Sequence, residues 1–143
     1  MNIIYDDFLN NNCTYTIVTT CNSFNKYGEL VMGKGAALAF KKKYPESNVF
    51  SSLVKQKMDS SGYYGFIRHG NLGIFQVKYD FKNPAYLELI EQSALELTKF
   101  AKSHKNWTFA MNFPGIGAGE LGPDDVMSIV SKLPDNVFLY IRE

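Results

Sequence analysis

Strand-like and helix-like segments alternate along this chain, and that alternation limits the possible folds more than any other feature. Residues 14–20 ("TYTIVTT") are β-branched and aromatic, as strand residues usually are. Residues 107–113 ("WTFAMNF") and 137–142 ("VFLYIR") are nearly continuous in apolarity, which predicts strands buried on both faces. Residues 2–5 ("NIIY") are a further candidate strand. We therefore expect a sheet with several buried strands.

Helices separate these strands. Apolar or small residues recur at helical spacing over residues 84–103, with Pro84 tolerated in the first turn. Three shorter helices are predicted at residues 35–43, 47–58 and 123–132. Two aromatic and aliphatic runs flank the turn His69-Gly70-Asn71, which predicts a hairpin. Together these features predict an α/β fold with a mixed sheet.

The composition is typical of a soluble globular protein. Hydrophobic residues make up 45% and charged residues 20% of the 143 positions, which suits one domain spanning residues 1–143. No apolar run approaches the roughly 20 residues of a bilayer span, and the first residues lack a secretory-signal pattern. We therefore expect a cytoplasmic location and no membrane partner. A net charge of +1 argues against general electrostatic capture of nucleic acid.

The cysteines and histidines do not predict a metal site. Cys13, Cys21, His69 and His104 lack the spacing of zinc ligands, so no metal is expected. Cys21 follows an apolar strand, where a packed thiol is favoured over a nucleophile because no histidine lies in a motif beside it. Both histidines are expected at the surface.

Two glycine-rich segments each follow a predicted strand and lead into a helix. They are "CNSFNKYGELVMGKGAALAF" after residues 14–20 and "PGIGAGELGP" after residues 107–113. In α/β sheets, ligands bind at the carboxyl ends of strands, and N–H groups at helix starts bind anions. Two such loops facing each other would hold a pyrophosphate from both sides. The alternative is a pair of tight turns without a ligand, since neither loop has the Walker A or GxGxxG order.

The lysines around the first of these loops have different expected roles. Lys41, Lys42 and Lys43 occupy the last turn of the predicted helix, where cations favour the helix dipole. A solvated helix end is the favoured interpretation, and contact with a nucleic acid or another anion is the alternative. Lys34 lies at the helix start, where its ammonium opposes the dipole and a bound anion would relieve that cost.

Three motifs, taken in order, resemble a known family. "MGKGAALAFKKKYP", "FQVK" and "NFPGIGAGELG" are similar to motifs of the macro-domain family, most closely its branch of DarG antitoxins and terminal ADP-ribose glycohydrolases. The resemblance spans nearly the whole chain. It implies a three-layer α/β/α fold around a mixed, about six-stranded sheet that binds ADP-ribose, with no cofactor.

The resemblance also implies a binding site, residue by residue. Asp7 is assigned to the adenine amino group, with Asp6 as a register alternative, and Asn22 and Ser23 are assigned to positions near the distal ribose. Backbone amides of the first glycine loop are assigned to one side of the diphosphate and the second loop to the other. The full predicted set is Asp7, Phe8, Asn22, Ser23, Met32, Gly33, Lys34, Gly35, Ala36, Pro114, Gly115, Ile116, Gly117, Ala118, Gly119, Glu120 and Leu121.

Two residues are the catalytic candidates that the resemblance implies. Lys78 matches the lysine to which that branch's glycosidic chemistry is attributed: its amine attacks the anomeric carbon C1″, or the ring-opened aldehyde, and water frees it. The alternative is a strand-end lysine that reaches solvent. Glu120 is a general acid or base, or else only a loop residue. The implied function is removal of ADP-ribose from a protein carboxylate or a nucleic-acid base.

Other functions and details stay open at this point. The alternatives are a reader that binds ADP-ribose without cutting it, and a phosphatase acting on ADP-ribose 1″-phosphate. The expected partner is ADP-ribose or an ADP-ribosylated macromolecule, with nucleic acid only as a modified substrate and the chain as a monomer. Leu121 stands where many macro domains have an aromatic residue, which predicts looser ribose packing. Phe24 and Tyr27 are either a lid over the site or packed loop aromatics.

Overall fold

The computed structural model describes residues 1–116 and 120–142. The strands in these ranges are β1 (Asn2–Ile4), β2 (Tyr15–Thr20), β3 (Phe66–His69), β4 (Leu72–Gln76), β5 (Phe109–Asn112) and β6 (Val137–Tyr140). The helices are α1 (Gly35–Lys43), α2 (Val49–Lys57), α3 (Leu87–Ser103) and α4 (Pro123–Val130), and a 3₁₀ turn, Pro45–Asn48, precedes α2. No helix among these residues is both long and apolar enough to span a bilayer.

The strands form a mixed six-stranded sheet in the order β1-β6-β5-β2-β4-β3. All neighbouring pairs are parallel except β3 and β4, which form the predicted antiparallel hairpin. Gly70 in the hairpin turn has a φ of 60°, a conformation that glycine adopts at little cost. The prediction of a mixed, about six-stranded sheet is confirmed.

Helices cover both faces of the sheet, so the fold has three layers. On one face, Phe40 of α1 and Phe50 of α2 pack with Val18 and Ile74 of the sheet. On the other face, Leu97 of α3 and Val126 of α4 pack in a second cluster with sheet residues such as Ile17 and Phe75, whose side chains point to that face. Successive strand residues point to opposite faces, so a strand with both faces covered is apolar at every position.

Several sequence-based expectations differ from the structure. The helix predicted at 84–103 begins only at Leu87, so Pro84 lies before its first turn. The predicted helix at 47–58 begins only at Val49, because Pro45 starts a 3₁₀ turn before it. Strand β6 is not buried on both faces, since Phe138 and Tyr140 are partly exposed. His104 is half-buried rather than superficial, because its ring stacks on Trp107 with centroids 4.0 Å apart.

Candidate functional site

A cleft of about 690 Å³ opens at the carboxyl ends of the parallel strands. Ligands occupy this position in open α/β sheets. The residues of the predicted set that line the cleft are Asp7, Phe8, Met32, Gly33, Lys34, Gly35, Ala36, Lys78, Gly115 and Ile116. The structure thus brings the two glycine loops and the lysine after β4 together, although they are far apart in sequence.

Five other residues of the predicted set do not line the cleft. The Asn22 side chain turns away, and its Nδ2 donates to the carbonyl oxygen of Gly62 at 2.8 Å. Pro114 is buried, and Leu121 packs against the core on the α3 and α4 face. Leu121 thus lies outside the cleft lining, and the expectation of looser ribose packing at that position stays a prediction.

Ser23 and Glu120 also lie outside the cleft lining. The Ser23 hydroxyl accepts a hydrogen bond from the backbone N–H of Phe81 at 3.0 Å, so it tethers the segment after β4. Glu120 is exposed and has a φ of 64°, so its side chain leaves the loop toward solvent. The remaining predicted contacts, Gly117, Ala118 and Gly119, lie outside the described residues.

The start of α1 is built to receive an anion. Lys34 is its N-cap residue, but no side chain caps the helix, and the first turn contains no acidic residue. The first N–H groups of a helix have no partner within the helix and carry a partial positive charge. Lys34, Gly35, Ala36 and Ala37 all line the cleft. These N–H groups and the Lys34 ammonium together favour a negatively charged ligand there.

Two glycines keep the cleft open beside this helix start. A Cβ added at Gly33 or Gly35 meets no protein atom within 4 Å. Gly35 has a φ of 61°, a conformation in which side chains are strained, whereas Gly33 has no such backbone requirement. Neither protein packing nor backbone conformation therefore requires glycine at position 33. The remaining physical reason for glycine at position 33 is that a ligand could approach the backbone closely there.

The floor of the cleft is a split in the sheet between β2 and β5. The pairing of these two strands ends at Ile17 and Met111, whereas β2 stays paired with β4 through Thr20. Beyond that point the Asn112 amide bridges the gap: its Oδ1 accepts from the Thr19 N–H at 3.0 Å, and its Nδ2 donates to the Thr19 hydroxyl oxygen at 2.9 Å. The split gives a ligand access to the strand ends.

One end of the cleft carries two carboxylates and an arginine. Asp7 accepts from the Leu9 N–H at 3.0 Å, and its other oxygen lies 3.9 Å from the guanidinium of Arg142. Asp6 accepts from the Asp7 N–H at 2.7 Å, and both carboxylates line the cleft. Lys43 donates to the carbonyl oxygen of Leu9 at 2.7 Å, so the end of α1 also holds this loop in place.

The other end carries Lys78. Its ammonium donates to the carbonyl oxygen of Phe81 at 3.4 Å, and the Phe81 ring, 45% exposed, lies at the same side of the cleft. Cys21 is nearby but buried, and its thiol donates to the carbonyl oxygen of Val31 at 3.6 Å. Burial raises the pKa of the Cys21 thiol, which favours the packed thiol over a nucleophile.

The aromatic residues of the first loop do not form a lid. Phe24 packs against the core on the α1 and α2 face, with the Lys55 ammonium 4.8 Å from its ring centroid. Tyr27 is 75% exposed, and neither ring lines the cleft. Phe24 is therefore a packed loop aromatic, as the second of the two interpretations held.

Sequence reasoning missed several residues that line the cleft. Thr19, Phe81, Asn112, Tyr140 and Arg142 were not predicted, although Asn112 is the first residue of the motif "NFPGIGAGELG". One signal was available for some of them: Asn112, Tyr140 and Arg142 lie at the ends of predicted strands, and all parallel strands end at the same edge. Among the described residues, no group of three or more histidine, cysteine or acidic side chains is placed to bind a metal ion.

Comparison with known proteins gives matches only among solved structures. No family model and no curated protein matches the chain. The macrodomain of Mycobacterium tuberculosis DarG is similar at 25% identity, with 96% of each chain covered and a TM-score of 0.69. The macrodomain of Thermus aquaticus DarG is similar at 19% identity, with 99% of this chain and 97% of that chain covered and a TM-score of 0.73.

A third similar structure contains a ligand. Thermosipho africanus DarTG, in complex with ADP-ribose, is 20% identical, with a TM-score of 0.69. The match covers 99% of this chain and 42% of that chain. These likenesses extend over almost the whole of the present chain and show its three-layer architecture to be that of macrodomains.

Proposed function

We propose that this chain, which has the macrodomain fold, binds ADP-ribose and removes it from a modified macromolecule. The observation that carries the proposal is the uncapped start of α1, which faces a cleft that Gly33 and Gly35 leave open. A diphosphate is the part of ADP-ribose that such a helix start binds. A cleft of about 690 Å³ is within the usual range for small-molecule sites.

The order of charges along the cleft supports one orientation of the ligand. Asp6 and Asp7 at one end are hydrogen-bond acceptors, which suit the amino group of adenine. The N–H groups of α1 lie beside the middle of the cleft, where they suit the diphosphate. The distal ribose then lies at the end that carries Lys78. This orientation brings the anomeric carbon C1″ toward the lysine amine.

Lys78 is the residue to which we assign the chemistry. Once a proton has left its ammonium, the Lys78 nitrogen forms a bond to C1″ while the bond between C1″ and the acceptor breaks, and the acceptor leaves with the bonding electron pair. Water then displaces the lysine nitrogen from C1″. One proton of that water passes to the acceptor, and the amine is restored. Glu120 has no part in this scheme, because its side chain is exposed outside the cleft lining.

The test is release of ADP-ribose by the unmodified protein and by Lys78→Ala. The substrates are a protein ADP-ribosylated on carboxylates and a DNA ADP-ribosylated on a base. We expect Lys78→Ala to slow release at least about a hundredfold, because loss of the attacking group removes the covalent route. Affinity for free ADP-ribose should change by only a few-fold, since the helix start and the glycines remain.

A nearby lysine is the matched control. Lys82 follows Phe81 and does not itself line the cleft, although its ammonium lies 5.7 Å from the centroid of the Phe81 ring, so Lys82→Ala removes one positive charge from the same segment without removing a group that lines the cleft. Release by this variant should match that of the unmodified protein. If the unmodified protein binds ADP-ribose but releases none from either substrate, the lysine mechanism is wrong and the chain is a reader. If it does not bind ADP-ribose at all, the whole proposal fails.

A further inference from the structure

The bridge between Thr19 and Asn112 leaves two hydrogen-bond donors at the floor of the cleft for which no acceptor is found among the described residues. Both side chains line the cleft, and both are half-buried. The bridge uses two of the groups involved: Oδ1 of Asn112 accepts from the Thr19 N–H, and Nδ2 donates to the Thr19 hydroxyl oxygen. The orientation of the amide is fixed by this pair, because a backbone N–H can only donate and so selects the amide oxygen.

The Thr19 hydroxyl hydrogen must then point elsewhere. The amide nitrogen facing it is a donor and offers no lone pair, so the hydroxyl cannot donate back to Asn112. Residues 1–116 and 120–142 offer neither this hydroxyl nor the second hydrogen of Asn112 Nδ2 an acceptor. Two donors therefore lie side by side where the sheet splits. The group that best satisfies them is one with several acceptor oxygens and no competing donor.

The position of the Thr19–Asn112 bridge in the sheet indicates which part of the ligand would lie against it. Strands β5 and β2 lie in the middle of the sheet. On one side of them are β6 and β1, which lead to Arg142 and Asp7, and on the other side is β4, which leads to Lys78. The start of α1 and Gly115 also line the cleft. The donors of the bridge thus add to the N–H groups that face the middle of the cleft.

We infer that Thr19 and Asn112 are ligand-binding residues whose side chains donate to the diphosphate of ADP-ribose. This inference rests on the proposed function, and it assigns to the sheet floor a part of the recognition that the two glycine loops do not supply. It also assigns a role in ligand binding to the split between β2 and β5. The Asn112 amide replaces the missing strand pairing and orients the Thr19 hydroxyl toward the ligand.

The test is calorimetric titration with ADP-ribose and with ADP, which keeps the diphosphate but lacks the distal ribose. Thr19→Val removes the hydroxyl and keeps both the side-chain shape and the N–H bond to Asn112. We expect affinity for both ligands to fall about three- to tenfold, the effect of one net hydrogen bond. Thr19→Ser returns the hydroxyl and should restore affinity to within about twofold of the unmodified protein.

A second variant and a control separate binding from structure. Asn112→Asp still accepts from the Thr19 N–H, but it replaces the donor by a negative charge, so affinity should fall more than in Thr19→Val. Thr14 and Thr108 exchange similar bonds between hydroxyl and N–H, at 3.0 and 3.1 Å, at the far end of the same two strands. Thr14→Val therefore removes a bridging hydroxyl away from the cleft and should leave affinity unchanged.

The possible outcomes are distinct. Unchanged affinity in Thr19→Val, with normal binding by the unmodified protein, overturns the inference and leaves the proposed function intact. A loss of affinity that Thr19→Ser does not restore, or that Thr14→Val shares, also overturns it, since the role is then structural. A loss seen with ADP-ribose but not with ADP contradicts the assignment to the diphosphate. Absence of ADP-ribose binding in the unmodified protein overturns both proposals.

Discussion

At the scale of single residues, Gly33 and Gly35 look alike in the sequence but are glycine for two different physical reasons, open space at Gly33 and backbone conformation at Gly35. Gly35 begins α1 with a φ of 61°, so any L-residue there is strained whether or not a ligand binds. Gly33 has neither a positive φ nor a protein neighbour within 4 Å of an added Cβ. Substitution at Gly33 therefore reports on the ligand, whereas substitution at Gly35 mixes ligand and backbone effects.

Gly33→Ala should weaken ADP-ribose binding without destabilising the fold. The added methyl group would occupy space that the proposed ligand needs, and overpacking of this kind costs about 1–3 kcal/mol, which is about five- to 150-fold in affinity. Calorimetry and thermal unfolding measure the two effects separately. Gly122→Ala is the control, because Gly122 also precedes a helix, has an ordinary φ of −73°, and lies outside the cleft lining. Equal affinity of Gly33→Ala and the unmodified protein would contradict our placement of the ligand.

At the scale of elements, the start of helix α1 is unfavourable for the stability of the helix itself. It begins with a lysine that caps nothing, and it has three lysines in its last turn. The basic end favours the helix dipole, whereas the basic start opposes it. Helix α4 shows the ordinary arrangement, with Asp124 and Asp125 in its first turn. The unfavourable start of α1 is thus a local feature of the cleft.

Lys34→Asp should raise stability and lower affinity for ADP-ribose. Position 34 has extended backbone, with φ −157° and ψ 168°, which suits an aspartate N-cap, so we expect a gain of about 1 kcal/mol in the free energy of unfolding. The same carboxylate would occupy the N–H groups and repel the diphosphate. Urea unfolding and calorimetry measure the two quantities.

A gain in stability together with a loss of affinity in Lys34→Asp would identify the start of α1 as the binding element. Lys42→Asp makes the same charge change at the exposed end of α1, where it should cost about 0.3–1 kcal/mol of stability and leave affinity unchanged. If Lys34→Asp and Lys42→Asp weakened binding equally, the net charge of the protein and not the helix start would account for the affinity.

At the scale of the whole molecule, several groups that titrate at alkaline pH are buried or half-buried. Tyr64 is fully buried, and its hydroxyl lies 2.6 Å from both the Thr20 hydroxyl and the Cys21 carbonyl oxygen. Burial raises the pKa of Tyr64, and it also raises the pKa of Tyr63, Tyr140, Cys13 and Cys21. In Tyr63, a hydrogen bond to Glu96 adds to the rise in pKa.

These shifts predict a loss of stability as the pH rises. A group whose pKa is higher in the folded state binds its proton more tightly there, so its contribution is complete at neutral pH. The contribution declines once the unfolded groups ionise, at about pH 8.5 for thiols and about pH 10 for tyrosines. Urea unfolding between pH 7 and 11, in reductant, should show a falling free energy of unfolding. A constant or rising value would contradict the prediction.

Tyr64→Phe tests the largest of these contributions. The variant should be less stable at pH 7 by about 1–3 kcal/mol, because the Thr20 hydroxyl and the Cys21 carbonyl lose their buried partner. Its stability should then fall less steeply above pH 10 than that of the unmodified protein. The same slope in both proteins would show that Tyr64 does not contribute to the alkaline loss.

Much of the fold and part of the site were predictable because they depend on local sequence. Helix α1 has the predicted bounds, since Gly35 starts it and Pro45 follows its basic end. The glycine loop beside it was predicted for the same reason: N–H groups at a helix start act through the backbone. The directions of side chains were less predictable. Asn22 and Ser23 follow β2 as expected, yet they bond to Gly62 and Phe81 instead of lining the cleft.

The sequence by itself determined the alternation of strands and helices, the mixed sheet and the helix start that faces the cleft. Only the tertiary structure decided which strand ends meet. Because β5 lies beside β2, Asn112 bridges to Thr19 across 93 positions of sequence. Because β6 lies between β1 and β5, Arg142 reaches Asp7. Such pairs have no local signature, since hydrogen bonds between side chains depend on the order of strands in space and not on their order in the chain.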